Sequence, residues 1–426
     1  MTFHPRERGY TRREALLRAG GAAISLSSIP GFLAACGGST PGTTTSAAGG
    51  WPVGPGGIPL ARASHPVTLK RWEDPIASGL KPETGGTFTI FNYPAYIDPA
   101  VIKAFGKKYD VTVKVTPFDN ISTGVQKLAS KTVSPDVTEM TPDQLPRVVA
   151  GKLVKPLNLD YIPNLKNVWH GFRSPYYDVG SRYGVPYTVY STGIAYRTDH
   201  VKEDIPNLKP NPWDIFWHSQ KYTGKVALLS EERETIAMAL LHRGIKDINT
   251  EDPKLVNRAV KDLQELYKIC SIKVGDLQYE NVPEDKAWLN QAWSGDMLAG
   301  SLYYANKQTR PLLRFWNPGY GNGPIGNDMW CICSSTKKPV LAHLFLNYML
   351  DNGVGYKNFV DFNGYQPPFN EIQPESLIKK GVIPETLASS VLTEHDFGPK
   401  ALVEAGLTNS GEALWQNGYA TFTSGA

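Results

Sequence analysis

Apolar residues recur along the chain with two periods, and the alternation between those periods sets the expected fold. Thr87-Phe88-Thr89-Ile90-Phe91 is a β-rich run after Gly85-Gly86, and Val111, Val113 and Val115 alternate as a second strand. Between them, Asp98-Pro99 supplies an N-cap and a first-turn proline for a helix with Ile97, Val101 and Phe105 on one side. A helix carrying Val125 and Leu128, a brief strand at Pro135-Asp136-Val137-Thr138 and a helix through Leu145, Val148 and Val149 follow. This βαβα order predicts a parallel, helix-covered sheet.

The pattern restarts after Val185-Pro186-Tyr187. Strands are expected near Ile194-Ala195-Tyr196 and from Lys225 to Leu229, with a helix near Pro212 to Trp217 between them and another from Glu232. Asp252-Pro253 opens a long amphipathic helix bearing Leu255, Val256, Val260, Leu263 and Leu266 at helical spacing. Strands at Met297 to Tyr303 and Met329 to Cys333 flank the turn-rich loop Asn317 to Pro324, and Leu341, Leu344, Phe345 and Tyr348 mark a helix that ends before Gly353. Two α/β units joined in this way predict two lobes with a ligand cleft between them.

The N-terminal segment reads as an address. Arg12-Arg13 precedes a mild apolar stretch that ends in Leu33-Ala34-Ala35-Cys36, with Gly37-Gly38 behind it. Residues 1–35 read as a cleaved signal of the twin-arginine type, and the last four positions resemble a bacterial lipobox in which Cys36 is acylated. Residues 36–85 are rich in Gly, Ser, Thr, Pro and Ala and are expected to be a tether with a reach of roughly 40 Å, part of it lying against the body. The chain would then be exported and lipid-anchored at the outer face of the cell membrane.

Charge removes some function classes. The formal net charge of the 426 residues is +4, and five arginines against Glu7 and Glu14 in the first 35 positions account for most of it. A nearly neutral body offers no overall field for nucleic acid. Residues 19–35 are the one long apolar run, which excludes a membrane-spanning bundle. Enzyme motifs are missing: the eight histidines include no pair at helical ligand spacing, and there is neither a Gly-x-Ser-x-Gly elbow nor a phosphate-binding glycine loop. No metal or cofactor is expected. Cys331 and Cys333 share a strand face and Cys270 stands apart, so buried thiols are expected, a bridge from Cys270 to either being the alternative.

A series of short motifs resembles one family. Phe91-Asn92-Tyr93-Pro94-Ala95-Tyr96-Ile97, Phe118-Asp119-Asn120, Lys155-Pro156-Leu157, Pro163 to Asn167, Tyr183-Gly184-Val185-Pro186-Tyr187 and Ser191-Thr192-Gly193-Ile194 occur in that order. Trp213-Asp214-Ile215-Phe216, Ser230-Glu231-Glu232-Arg233-Glu234 and Gly364-Tyr365-Gln366-Pro367-Pro368 continue it. Over residues 86–370 the chain is similar to the polyamine-binding proteins of spermidine/putrescine ABC importers, a branch of the extracellular solute-binding proteins.

The resemblance implies an α/β, two-lobed type II periplasmic-binding-protein-like fold, each lobe a mixed sheet covered by helices, joined by a hinge. Lobe 1 would comprise residues 86–190 with 327–372, and lobe 2 residues 191–326 with 373–426, with crossovers near Tyr190, Gly326 and 370–376. It further implies a monomer that captures a small cationic solute and presents it to ABC permease subunits in the membrane. Glu231, Glu234 and Asp328 fall where the family pairs amines; Tyr93, Tyr96, Tyr303 and Tyr365 where it places aromatic walls; Thr141, with Asp143 beside it, where it has a polar loop contact. Taken alone, Glu231 and Glu234 read first as first-turn acids favoured by the helix dipole, with Arg233 able to neutralise one. Gly326 and Val189-Tyr190 depart from the family at positions of site tryptophans, which would leave room for a bulkier solute. Binding of another amine, an amino acid derivative or a sugar, and hydrolysis of the ligand by an exported enzyme, are the competing readings.

Overall fold

Asp98 accepts a hydrogen bond from the Ala100 N–H and Pro99 follows it, so helix α1 (Pro99–Tyr109) starts where its capping residues dictate. The computed structural model describes residues 50–118 and 120–424; residues 1–35, expected to be a signal, and Cys36 lie outside the described residues. The strands are β1 (Thr87–Asn92), β2 (Thr112–Pro117), β3 (Val137–Met140), β4 (Gly184–Arg197), β5 (Val226–Leu228), β6 (Lys273–Val274), β7 (Leu289–Trp293), β8 (Leu313–Trp316), β9 (Pro324–Ile332) and β10 (Leu402–Val403). The other main helices are α2 (Ile121–Ala129), α3 (Leu145–Ala150), α4 (Glu232–His242), α5 (Pro253–Cys270), α6 (Ser294–Ala299), α7 (Pro339–Met349) and α8 (Asn409–Ser424).

The strands run in the order β2-β1-β3-β9-β4-β7-β5-β6, with β8 beside β4 and β10 beside β9. Pairing is parallel from β2 through β3, as the βαβα order requires, and antiparallel where β9 enters. The long strand β4 joins two lobes: residues 184–191 pair with β9, while residues 192–197 pair with β7 and β8. In the first lobe, Phe88 and Ile90 face a core with Phe105, Trp330 and Phe345, and Phe91 faces the opposite layer with Phe118 and Met140. The second lobe packs α4, α5 and α8 around Leu240, Leu263 and Trp415.

Several expectations change in the structure. Met297 to Tyr303 is helical, not extended: α6 runs on into a π-helical turn, Gly300–Tyr304. A short apolar run does not choose its own period, and the small residues Gly295 and Gly300 let this one press against Tyr365 and the Tyr279 carbonyl as a helix. The helix expected near Pro212 is a 3-10 helix, Pro212–His218. Gly326, near which a crossover is expected, pairs with Tyr190 where β9 runs beside β4.

Residues 374–397 touch both lobes. Leu377 and Leu387 share the core of Phe345, Phe397 packs on Trp169 and Phe172, and the Ser389 hydroxyl donates to the Phe315 carbonyl on β8. From there the chain first meets the second lobe's core at Leu402, which packs against it, and enters it at Leu407.

The expected tether is largely docked. Leu60 and Leu69 are buried, Trp51 stacks on His65, the Trp72 indole donates to the Val154 carbonyl, and Glu83 accepts from the Leu341 N–H at the start of α7. Leucines and tryptophans among the glycines and prolines give residues 51–84 apolar surface to bury, which a solvated linker lacks. Cys270, Cys331 and Cys333 are buried free thiols.

Candidate functional site

A cavity of about 330 Å³ lies between the lobes. The first lobe contributes strand ends: Tyr93 and Tyr96 after β1, Thr141 and Asp143 after β3, Tyr190 on β4 and Asp328 on β9. The second lobe contributes Glu231 to Glu234 at the start of α4, Asp276 after β6, Trp293 at the end of β7 and Asp296 on α6. Tyr365 follows the π-helical turn Phe359–Asn363, and Glu404 follows β10.

Aromatic edges and faces form the walls. Tyr96 meets Tyr93 and Tyr365 edge-on at centroid separations of 6.0 and 5.1 Å, and Tyr190 meets Trp293 at 6.3 Å. Tyr190 occupies the space that Gly326 leaves open, since a Cβ on Gly326 would stand 2.6 Å from its ring. The room expected from the missing tryptophans is therefore filled in part by Tyr190, with Trp293 as a neighbouring indole.

Acids dominate the polar lining, with eight carboxyl side chains against Arg233 alone among basic residues. Asp328 accepts hydrogen bonds from the Tyr96 hydroxyl and from the Thr188 hydroxyl, the latter at 2.7 Å. Burial pushes its carboxyl up to about 6. Glu234 accepts from the Trp293 indole at 3.2 Å through one oxygen, while its other oxygen is buried without a partner. Burial lifts Glu234 and Glu232 each to about 7 and holds Glu231 and Glu404 well above the carboxylate range.

Glu231 occupies the N-cap position of α4 yet makes no capping hydrogen bond. It faces the cavity and meets the Tyr93 hydroxyl at 3.5 Å across the cleft. Arg233 turns the other way: its guanidinium donates to Asn249 Oδ1 and the Ala405 carbonyl and lies 4.7 Å from the centre of the Trp415 ring. Among the described residues, no lysine or arginine forms an ion pair with Glu231, Glu234, Asp276 or Asp328. Such a cavity can hold a ligand that brings its own positive charge and presents methylenes to aromatic faces.

Of the residues singled out in the sequence, Tyr93, Tyr96, Thr141, Glu231, Glu234, Asp328 and Tyr365 line this cavity. Tyr303 does not. It is 42 % exposed and its hydroxyl donates to the Val360 carbonyl, because the helical turn that replaces the expected strand carries it to the surface. Asp276, Trp293, Asp296 and Glu404 were missed; they come from three separate stretches of sequence that carry no binding motif, and only the fold gathers them.

Comparison with known proteins gives a consistent result. The family model for "Bacterial extracellular solute-binding protein" matches residues 100–384. The chain is 25 % identical over 267 residues to the "Spermidine/putrescine-binding periplasmic protein 1" of Haemophilus influenzae, covering 62 % of this chain and 70 % of that one. It is 28 % identical over 177 residues to a "Putrescine/agmatine-binding protein" of Pseudomonas aeruginosa, covering 40 % and 48 %. Among solved structures, a putative spermidine/putrescine ABC transporter protein from Listeria monocytogenes superposes with a TM-score of 0.65 at 19 % identity, covering 79 % of this chain and 98 % of that one.

Proposed function

The chain belongs to the bacterial extracellular solute-binding proteins, and from that premise we propose that it captures a polyamine of the spermidine/putrescine type and delivers it to an ABC permease. One observation carries the reading: an interlobe cavity with eight acids against a single arginine, whose guanidinium is already engaged by Asn249, the Ala405 carbonyl and the Trp415 ring. Amines are the complement of that lining, since a buried ammonium needs paired anions and acceptors, and each charge-assisted hydrogen bond contributes about 1.5–3 kcal/mol. The polyamines named for the two sequence relatives support the same class. Glu231, Glu234 and Asp328 pair the amines; Tyr93, Tyr96 and Tyr365 cover the methylenes.

The mechanism is capture without covalent chemistry. Tyr93 and Asp328 belong to one lobe and Glu231 and Glu234 to the other, so a ligand that touches both sets has more contacts in the closed state and shifts the population toward it. Acylation at Cys36 after twin-arginine export would hold the protein at the outer face of the membrane, where it would work as a monomer.

A thermal-shift and calorimetric screen of the purified protein against putrescine, spermidine, spermine, amino acids and sugars tests the reading. A ligand at a hundredfold excess over its dissociation constant adds about 2.7 kcal/mol of stability. Shifts confined to polyamines are expected. A shift from an amino acid or sugar instead would keep the binding role and overturn the ligand class.

A further inference from the structure

A second carboxyl lies behind Asp328, and capture as described makes no use of it. Glu139 stands on β3 opposite Trp330 of β9, two positions along from Asp328, and it is fully buried. Neither of its oxygens has a partner at ordinary hydrogen-bond distance. Asp328 acts on it most strongly, followed by Glu231 and Asp143; the phenols of Tyr93 and Tyr187 and the Cys331 thiol also sense it. No lysine or arginine is among these neighbours.

Two carboxyls in one buried place cannot both ionise without a compensating cation. Asp328 has the donors, Tyr96 and Thr188, and so carries the charge; Glu139 has none and keeps the proton. Burial and the Asp328 charge both push Glu139 well above the usual carboxylate range.

Resting on the reading that the cavity takes a cation, we propose that Glu139 and Asp328 form a carboxylic acid–carboxylate pair that holds one proton when the cavity is empty and gives it up when a cation seats on Asp328. The O–H bond of Glu139 breaks, its electron pair stays on the carboxylate and the proton leaves to solvent. Binding is thereby an exchange of a proton for a cation, and because the bound state holds fewer protons, affinity rises with pH. Release is favoured where the medium is acidic.

Two measurements on the full chain test this. Infrared difference spectra of the ligand-free protein at neutral pH should show, for wild type minus Glu139→Gln, the C=O stretch of one protonated carboxylic acid; no such band overturns the pair. Titration calorimetry with spermidine in two buffers of different ionisation enthalpy counts protons. The wild type should release one more per spermidine bound than Glu139→Gln, and equal counts from two binding-competent proteins overturn the exchange. Calorimetric silence from both proteins, with the acid band present, would instead sink the polyamine reading and with it the exchange. If Glu139→Gln does not fold, Glu139→Met replaces it in both measurements.

Discussion

The ring of Tyr190 lies where a side chain on Gly326 would stand, with the ring carbon Cζ 2.6 Å from an ideal Cβ at that glycine. The two residues are register partners on β4 and β9, so the ring and the glycine share one place in the first lobe's sheet. Gly326→Ala should displace the ring, because 2.6 Å is closer than any carbon contact allows. Overpacking of this kind costs about 1–3 kcal/mol. We expect a lower Tm by circular dichroism together with weaker polyamine binding by calorimetry, since Tyr190 also walls the cavity. Unchanged affinity would remove Tyr190 from the ligand's surroundings.

Glu234 offers a sharper test of charge pairing. One of its oxygens accepts from Trp293 and the other is buried without a partner, so it is poised to accept from an ammonium. Glu234→Gln keeps the shape and removes the charge. The lost charge-assisted bond should weaken spermidine binding by about 1.5–3 kcal/mol, roughly tenfold or more. The empty variant should melt no lower than the wild type, because a buried acid has been replaced by a neutral group. An unchanged dissociation constant would take Glu234 out of the site.

How far the sequence reveals this site depends on where each residue gets its position. Strand and helix periods and the Asp98-Pro99 cap act locally, so the α/β order of the first lobe is readable along the chain. Glu231 and Glu234 are readable for a related reason: they open one helix and reach one face together. Asp276, Trp293 and Glu404 carry no local signal, and only long-range pairing of β6, β7 and the C-terminal crossover brings them to the cavity. The Tyr190–Gly326 compensation is likewise a property of two strands, which is why a missing tryptophan reads as an empty space in sequence and as a filled one in the fold. Tyr303 fails in the opposite direction, since a short apolar run fits either period and the tertiary packing of Gly295 and Gly300 selects the helix.

The docked N-terminal segment makes a prediction about stability. Leu69 of this segment is almost fully buried, in the same core as Phe91, Val148 and Tyr183. Leu69→Ala should cost about 2–5 kcal/mol in urea unfolding, as for a core leucine. A solvated linker would give a change near zero. Trp72→Ala should be additionally destabilising through the lost hydrogen bond to Val154 and the lost contact with the Lys155 ammonium, 5.7 Å from the ring centre.

The cavity acids also set how stability varies with pH. Asp328 sits at about 6 and Glu232 and Glu234 at about 7 in the folded protein, each raised chiefly by burial. In the unfolded chain the same groups titrate near 4, at about 3.9 for Asp and 4.3 for Glu. Below about pH 4 both states are protonated and the groups favour neither. As pH rises from there through 6 to 7, the unfolded chain gives up its protons first, so the folded state loses stability over that window and the loss is complete above about pH 8. The ligand-free protein should therefore have a lower Tm at pH 8 than at about pH 5, as measured by differential scanning calorimetry. A polycation offsets the buried negative charge, so the increase in Tm produced by a fixed excess of spermidine should grow across the same window. The triple variant Asp328→Asn, Glu232→Gln, Glu234→Gln should flatten the ligand-free profile; a wild-type Tm that rises from pH 5 to pH 8 would contradict the burial of these charges.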